Sequence, residues 1–303
     1  MKILVLYHGD ADGIISAAVV KYAYQTEKYL DTEFTFKQLN NSDYHKDFDV
    51  EKEFEGFDRV YLVDFSFPVE SLLKAKELLG ENFIWIDHHK TAILNSRLSK
   101  ESFAGIQSTS ESACMLCWQY FYGTLKKAPL LVEGINKWDN WRKDDEWESF
   151  TYPLNLCVVS LLRDLDSFDI RFFVDNTLIK EMVEGIGTNL YGFLLSQCQS
   201  QFSKLYEKQI SFAGQIYKAL ILNSAQGGSL VHAKFEEATG NNYDVHIRYS
   251  LKDDFSVECS IYSKKGENCF DCGLFASQFE KGGGHTNAAG FTCSFENFKN
   301  LFT

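Results

Sequence analysis

No run of about 18 or more consecutive apolar residues occurs in the 303-residue chain, so no segment is expected to cross a membrane. The opening MKILVLYHGD has only a short apolar stretch, reaches charge at once and lacks a small-residue cleavage site. It reads as a first β-strand and not as a signal peptide, and a cytoplasmic location is the expectation. Cysteine is scarce as well: eight thiols are too few and too scattered for a disulfide scaffold. Cys114/Cys117 and Cys269/Cys272 have C-x-x-C spacing. The first pair, in ACMLCWQYF, falls on one apolar helical face, and the two pairs lie far apart, so buried thiols are expected rather than zinc ligands. Basic residues are in deficit, 30 against 42 acidic ones, for a net charge of −12. A protein that tracks long duplex DNA needs a basic excess to neutralise phosphates, so that class is excluded. A small phosphorylated substrate or a short nucleic acid remains, because bound metal ions reverse the charge of an acidic cleft. There is neither an internal repeat nor a low-complexity segment.

What is present is a regular alternation. KILVLY runs into His8 and Asp10, RVYLV into Asp64, and NFIWI into Asp87, His88 and His89. Such short continuous runs suit strands buried on both faces of a parallel sheet. GIISAAVVKYAYQ follows the first run, and PVESLLKAKELLG, bounded by Pro68 and Gly80, follows the second; both read as helices. The fold class is therefore α/β: a parallel-sheet N-terminal domain and a smaller α/β C-terminal domain. The expected division is a metal-binding domain over 1–165, a helical connector over 166–214, and a substrate-binding domain over 215–303. Further helices are expected at 110–123, with Ser110 as N-cap, and at 130–140. The second domain reads as strands in YKALILN, YDVHIRYSL, FSVECSIYS and AAGFTC, with helices in SLVHAKFEEATG and CGLFASQF and a tight loop at GGGH.

In open α/β sheets ligands bind beyond the carboxyl ends of the strands, so the residues capping three runs converge on one cleft. Asp10, Asp12, Asp64, Asp87 and Asp139 would then be neighbours. At about 4 Å and an effective dielectric near 20, each like-charge pair costs on the order of 4 kcal/mol. Cations remove that conflict, and a mixed carboxylate and imidazole set suits manganese, iron, zinc or cobalt better than calcium. Two such ions clamp a phosphate and lower the pKa of a water between them.

HGDADG at 8–13, Asp64 after its strand, DHH at 87–89 and the Asp139 of NKWDNW resemble the four ordered motifs of the DHH phosphoesterases. GGGHTNAAGF at 282–291 resembles the signature of their associated C-terminal domain, so the likeness runs over nearly the whole chain. The resemblance implies two divalent cations, with manganese the expected metal. His8, Asp10 and Asp64 would hold one; Asp12, Asp64, His88 and Asp139 would hold the other, with Asp64 bridging. Asp87 would orient the histidines beside it, and His89 would stabilise charge on the phosphate or protonate the leaving oxygen. A hydroxide between the metals would be the nucleophile.

In the second domain, the resemblance assigns Gly282, Gly283, Gly284 and His285 to a substrate phosphate, since glycine lets backbone N–H groups approach an anion closely. Tyr262 stands where many members carry an arginine; it can hydrogen-bond phosphate or stack on a base but supplies no charge. Only Tyr262 among the aromatics is read as a base-stacking candidate, the rest being core. His45, His232 and His246 lie in no motif and are read as surface or core histidines, and Arg142 as a partner of Asp144 and Asp145. The activity implied is hydrolysis of short oligonucleotides or linear dinucleotides to mononucleotides. Two alternatives use the same residues: a phosphatase acting on a nucleotide bisphosphate or polyphosphate, and a non-catalytic nucleotide-binding module, which would not need six ligands. Self-association as a homodimer is left open.

Overall fold

Four short strands form a parallel sheet in which every neighbouring pair runs the same way. They are β1 (Lys2–His8), β2 (Glu33–Leu39), β3 (Arg59–Val63) and β4 (Phe83–Ile86), in the order β2-β1-β3-β4. The computed structural model describes residues 1–26, 31–40, 48–225, 228–264, 266, 269–279 and 281–302. His45 and the side chain of His285 lie outside what is described.

Successive side chains along a strand point to opposite faces, and here both faces are covered. Ile3, Val5, Tyr61, Val63, Ile84 and Ile86 enter one core, with α1 (Ala11–Thr26) packed on it. Leu4, Leu6, Val60, Leu62, Phe83 and Trp85 enter the other, beneath α2 (Val50–Phe54), α3 (Val69–Leu79) and α4 (Lys90–Leu98). That two-sided burial is why the runs are apolar without alternation. α1 is buried over Ala11–Tyr24, because α5 (Ala113–Tyr122), α6 (Leu130–Asp139) and α7 (Tyr152–Leu161) share its core. The chain leaves β1 for β2 on one side and returns to β3 on the other. A crevice opens at such a switch point, past the carboxyl ends of β1 and β3.

The chain divides into two compact units, Met1–Tyr191 and Gly192–Thr303. The division falls inside the segment expected to be a connector. α8 (Asn176–Met182) and α9 (Thr188–Ser200) follow the helical expectation, but Leu205–Phe212 is a strand, β5. Its helix-like composition is overridden by an antiparallel partner, β6 (Gln215–Asn223), joined through Ala213 and Gly214, both with positive φ (49° and 78°). Two central residues in that region make the tight turn whose twist matches paired strands.

The second unit holds one six-stranded sheet, β5-β6-β7-β8-β10-β9. β7 (Val245–Leu251) lies parallel to β6 across the helix α10 (Gly228–Thr239), while β8 (Ser256–Ser263), β9 (Lys281–His285) and β10 (Ala288–Ser294) are antiparallel to their neighbours. α11 (Cys272–Ala276) and α12 (Phe295–Lys299) complete it. The expected loop at GGGH is thus a correction: these residues form the edge strand β9, paired to β10. A β-carbon on Gly282 would sit 1.9 Å from the Ala276 carbonyl oxygen, so this glycine lets the strand lie against α11.

Candidate metal centre

Each ligand-type side chain of the first unit sits where an element ends. His8 closes β1, and Asp10 and Asp12 lie in the turn that opens α1. Gly13 permits that turn, since a β-carbon there would meet the His8 carbonyl oxygen at 2.1 Å. Asp64 follows β3, with φ at 52° and its N–H donating to the Ile86 carbonyl at 3.0 Å. A non-glycine residue in this left-handed region is uncommon and marks a place where structure is imposed by surroundings. Asp87, His88 and His89 follow β4, and Asp139 is the last residue of α6.

The structure brings these residues into three overlapping groups, one of them Asp64, His88 and His89. His8, Asp10 and Asp64 offer atoms within 4.8 Å of one another, and so do Asp12, His88 and Asp139. His8 Nδ1 is 2.9 Å from Asp10 Oδ2 and 3.9 Å from Asp64 Oδ2. His88 Nε2 is 3.3 Å from Asp64 Oδ1, 3.5 Å from Asp139 Oδ2 and 3.8 Å from Asp12 Oδ2. Asp64 faces the latter two groups from a buried position (2% exposed), and its Oδ2 has no hydrogen-bond partner.

Charge in this pocket is out of balance without cations. Burial pushes the Asp64 carboxyl well above the usual range, and the carboxylates of Asp10, Asp12, Asp139 and Asp87 push it further. Asp139 rises to about 8 through burial and through Asp12 and Asp10, with His89 opposing. Asp10 goes the other way: burial raises it, but hydrogen bonds from His8 and the Gly13 N–H, with the charge of His8, hold it at about 2. Burial lowers His88, which favours the neutral imidazole that a metal requires. A buried carboxylate oxygen without a donor, ringed by carboxylates and a neutral imidazole, fits divalent cations.

Asp87 is fully buried and works on its neighbours. Its Oδ1 accepts from the His88 and His89 N–H groups at 2.8 and 3.3 Å and lies 2.7 Å from His89 Nδ1. Burial opposes a charged His89, yet Asp87 outweighs it and raises the ring to about 9. The bond to Asp87 thus favours the protonated ring of His89, on the same turn that carries His88.

Asp12 has a second task that its motif does not announce. Its Oδ2 accepts from the Ala113 N–H at 2.7 Å and its Oδ1 from the Cys114 N–H at 2.9 Å. The first turn of α5 is thus capped by a residue 101 positions away. Ser110, expected to cap this helix, does not: Ser112 is the N-cap residue, without a side-chain cap bond. Ser112 N–H instead donates to Asn136 Oδ1 at 2.9 Å, and Asn136 Nδ2 donates to Glu111 Oε2 at 2.7 Å. Asn136 lies one helical turn before Asp139, and that i, i+3 spacing was the available signal for a residue on the same face. Arg142 also departs from expectation. It donates to Glu111 Oε2 at 2.8 Å and the Ser110 carbonyl at 2.9 Å, while Asp144 pairs with Lys137.

The second-unit candidates share one end of the sheet β8-β10-β9. Tyr262 and His285 both pair with Ala288, from opposite sides of β10. The Tyr262 hydroxyl lies beside Gly228 at the start of α10. Of the three glycines only Gly283 has open space where a side chain would be. His232 and His246 are buried core residues, their rings stacked 4.9 Å apart. Cys114, Cys117 and Cys272 are buried thiols. Among the described residues, no helix is long and apolar enough to cross a membrane.

Carboxylates and histidines clustered past the strand ends of an α/β domain make this a candidate metal-ligating site. Residues 2–135, which lie within the first unit, match the DHH family, N-terminal domain. No curated protein matches the chain in sequence. Among solved structures, it is similar to a DHH domain described as belonging to a member of a family of ribosomal proteins, at 15% identity and a TM-score of 0.59, over 99% of this chain and 84% of that one. That likeness shows the fold. RecJ from Thermus thermophilus in complex with Mn2+ aligns at 15% identity with a TM-score of 0.49, and this chain spans 50% of its length. An exonuclease RecJ bound to manganese aligns at 13% identity with a TM-score of 0.47, covering 99% of this chain and 88% of that one.

Proposed function

We propose that the protein is a phosphodiesterase that cleaves short oligonucleotides or linear dinucleotides to mononucleotides, using two divalent cations, with Mn2+ the expected metal. The observation that carries the reading is Asp64: a buried carboxylate with an orphaned oxygen, facing one ligand group through Oδ2 and the other through Oδ1. His8, Asp10 and Asp64 would hold one ion, and Asp12, Asp64, His88 and Asp139 the other. Bound there, the ions would supply Lewis acidity toward the phosphate and a water of lowered pKa. The chain's own groups do the rest. Asp87, bonded to His89 Nδ1, would favour a protonated ring that stabilises the phosphoryl oxygens or passes a proton to the leaving oxygen. Asp12 fixes the crevice wall by holding α5.

In the second unit, the open backbone at Gly283 with its neighbours Gly282, Gly284 and His285 would receive the terminal phosphate, and Tyr262 would contact a sugar or base. The net charge of −12 supports a short substrate over a long duplex. The test is hydrolysis of labelled two- to five-nucleotide RNAs with added Mn2+, with a nucleoside 3′,5′-bisphosphate alongside. Release of mononucleotides, abolished by Asp64→Ala, supports the reading. Cleavage of the bisphosphate alone moves it to a phosphatase, and an inert, demonstrably metallated protein refutes it.

A further inference from the structure

The sequence offers no reason to single out Trp141, yet its backbone does. α6 ends in two bonds that close a helix terminus: Trp141 N–H donates to the Trp138 carbonyl at 3.1 Å, and Arg142 N–H to the Lys137 carbonyl at 2.9 Å. In this closure the residue after the C-cap takes the left-handed conformation and is usually glycine. Here it is a tryptophan, with φ at 53°. A bulky side chain in that region is strained, and such strain persists where the surroundings hold it and function uses it.

The ring it places is not spent on the core. Trp141 is 47% exposed, whereas Trp147 beneath it is 6% exposed. Trp141 stacks on Trp138 and Trp147 with centroids 6.1 and 5.8 Å away, and those two lie 5.2 Å apart, so three indoles form one block. Lys143 Nζ stands 4.9 Å from the Trp141 centroid. Arg142 is held by Glu111 and the Ser110 carbonyl, which fixes the same short loop. The loop begins two residues after Asp139, so the Trp141 and Asp139 Cα atoms are within about 8 Å.

We infer that Trp141 is a nucleobase shelf beside the metal centre. It accepts the base of the nucleotide whose phosphate is held there, with Lys143 favouring the anionic ligand. This rests on the phosphodiesterase reading and deepens it. Substrates carry a base, purines with their larger π-face are preferred over pyrimidines, and a base-free sugar phosphate is a poor ligand.

The test separates binding from turnover. Adenosine 5′-monophosphate and ribose 5-phosphate are titrated calorimetrically into the full-length, Mn2+-loaded protein as wild type, Trp141→Gly and Trp141→Phe. Glycine suits the backbone, which offsets part of the packing lost with the indole, so Trp141→Gly should stay folded, as its melting curve checks. It should bind the nucleotide about tenfold more weakly, with its weaker affinity for ribose 5-phosphate unchanged. Trp141→Phe, which keeps an aromatic face, should stay within about threefold of wild type. The inference is overturned if Trp141→Gly binds the nucleotide as wild type does, if both ligands weaken equally, or if wild type binds no nucleotide. Trp141-dependent binding in a protein that hydrolyses nothing would leave the shelf standing and remove the phosphodiesterase.

Discussion

Removing a carboxylate from the metal centre should stabilise the metal-free protein and weaken its response to metal, and Asp139→Asn isolates that effect. In the fold, burial and the charges of Asp12 and Asp10 raise Asp139 from 3.8 to about 8. A carboxyl raised on folding contributes stability fully below its unfolded pKa and loses it as pH rises toward the folded value. From the unfolded value up to pH 7 the span is about three pH units, and at about 1.36 kcal/mol for each the cost is about 4 kcal/mol. Asp64 shares the same strain, so this is a ceiling. An amide matches the protonated acid in shape and avoids the penalty. For a unit of this size, about 4 kcal/mol corresponds to a rise in Tm of roughly 8–16 °C. The assay is thermal unfolding in chelator from pH 5 to 8, then with increasing Mn2+. The gain from Asp139→Asn should grow with pH in chelator, and the Mn2+-dependent rise should shrink relative to wild type. At a free ion concentration of about 100 Kd, wild type should gain about 2.7 kcal/mol per site. A lower Tm for Asp139→Asn in chelator, or an unchanged response to Mn2+, would falsify the electrostatic account of the site.

Asp12→Ala should behave oppositely in chelator, because both its oxygens accept buried N–H groups at the start of α5. A loss of roughly 2–3 kcal/mol in denaturant unfolding is expected, and an unchanged or raised stability would show that α5 does not depend on this cap. In the second unit, burial and then the neighbouring His246 lower His232 to about 4 from its usual 6.5. The stability this neutral ring contributes is present above about pH 6.5 and is lost as pH falls toward about 4, by about 3 kcal/mol in all. His232→Phe should flatten that acid limb in unfolding curves taken from pH 4.5 to 7; an unaltered slope would assign the acid sensitivity elsewhere.

The parts of this molecule legible in the sequence are those where burial dictates composition. β1, β3 and β4 are covered on both faces, so their residues are apolar without a break, and the polar residues after them stand out as strand ends. β2, by contrast, lies at the sheet edge. Phe34 and Phe36 alternate there with Glu33, Thr35 and Lys37, and the signal is too weak to read without its neighbour β1. β5 was hidden for a similar reason: most of it is exposed, and pairing with β6 rather than its own preference makes it a strand. β9 has almost no side chains to read, and only its pairing with β10 defines it. Asp10, Asp64, His88 and Asp139 could be picked out because they sit at element ends in recognisable motifs. The cap that Asp12 supplies to α5, and the left-handed backbone of Trp141, depend on contacts and torsions that no local pattern encodes.

The wide spacing of the clustered side chains along the chain matters for how the protein is made. During synthesis the segments bearing Asp10, Asp12 and Asp64 leave the ribosome before the one bearing Asp139. At about 5–20 residues per second, roughly 4–15 s separate the emergence of Asp64 from that of Asp139. The nascent sheet must therefore tolerate a half-built cage of mutually repelling acids.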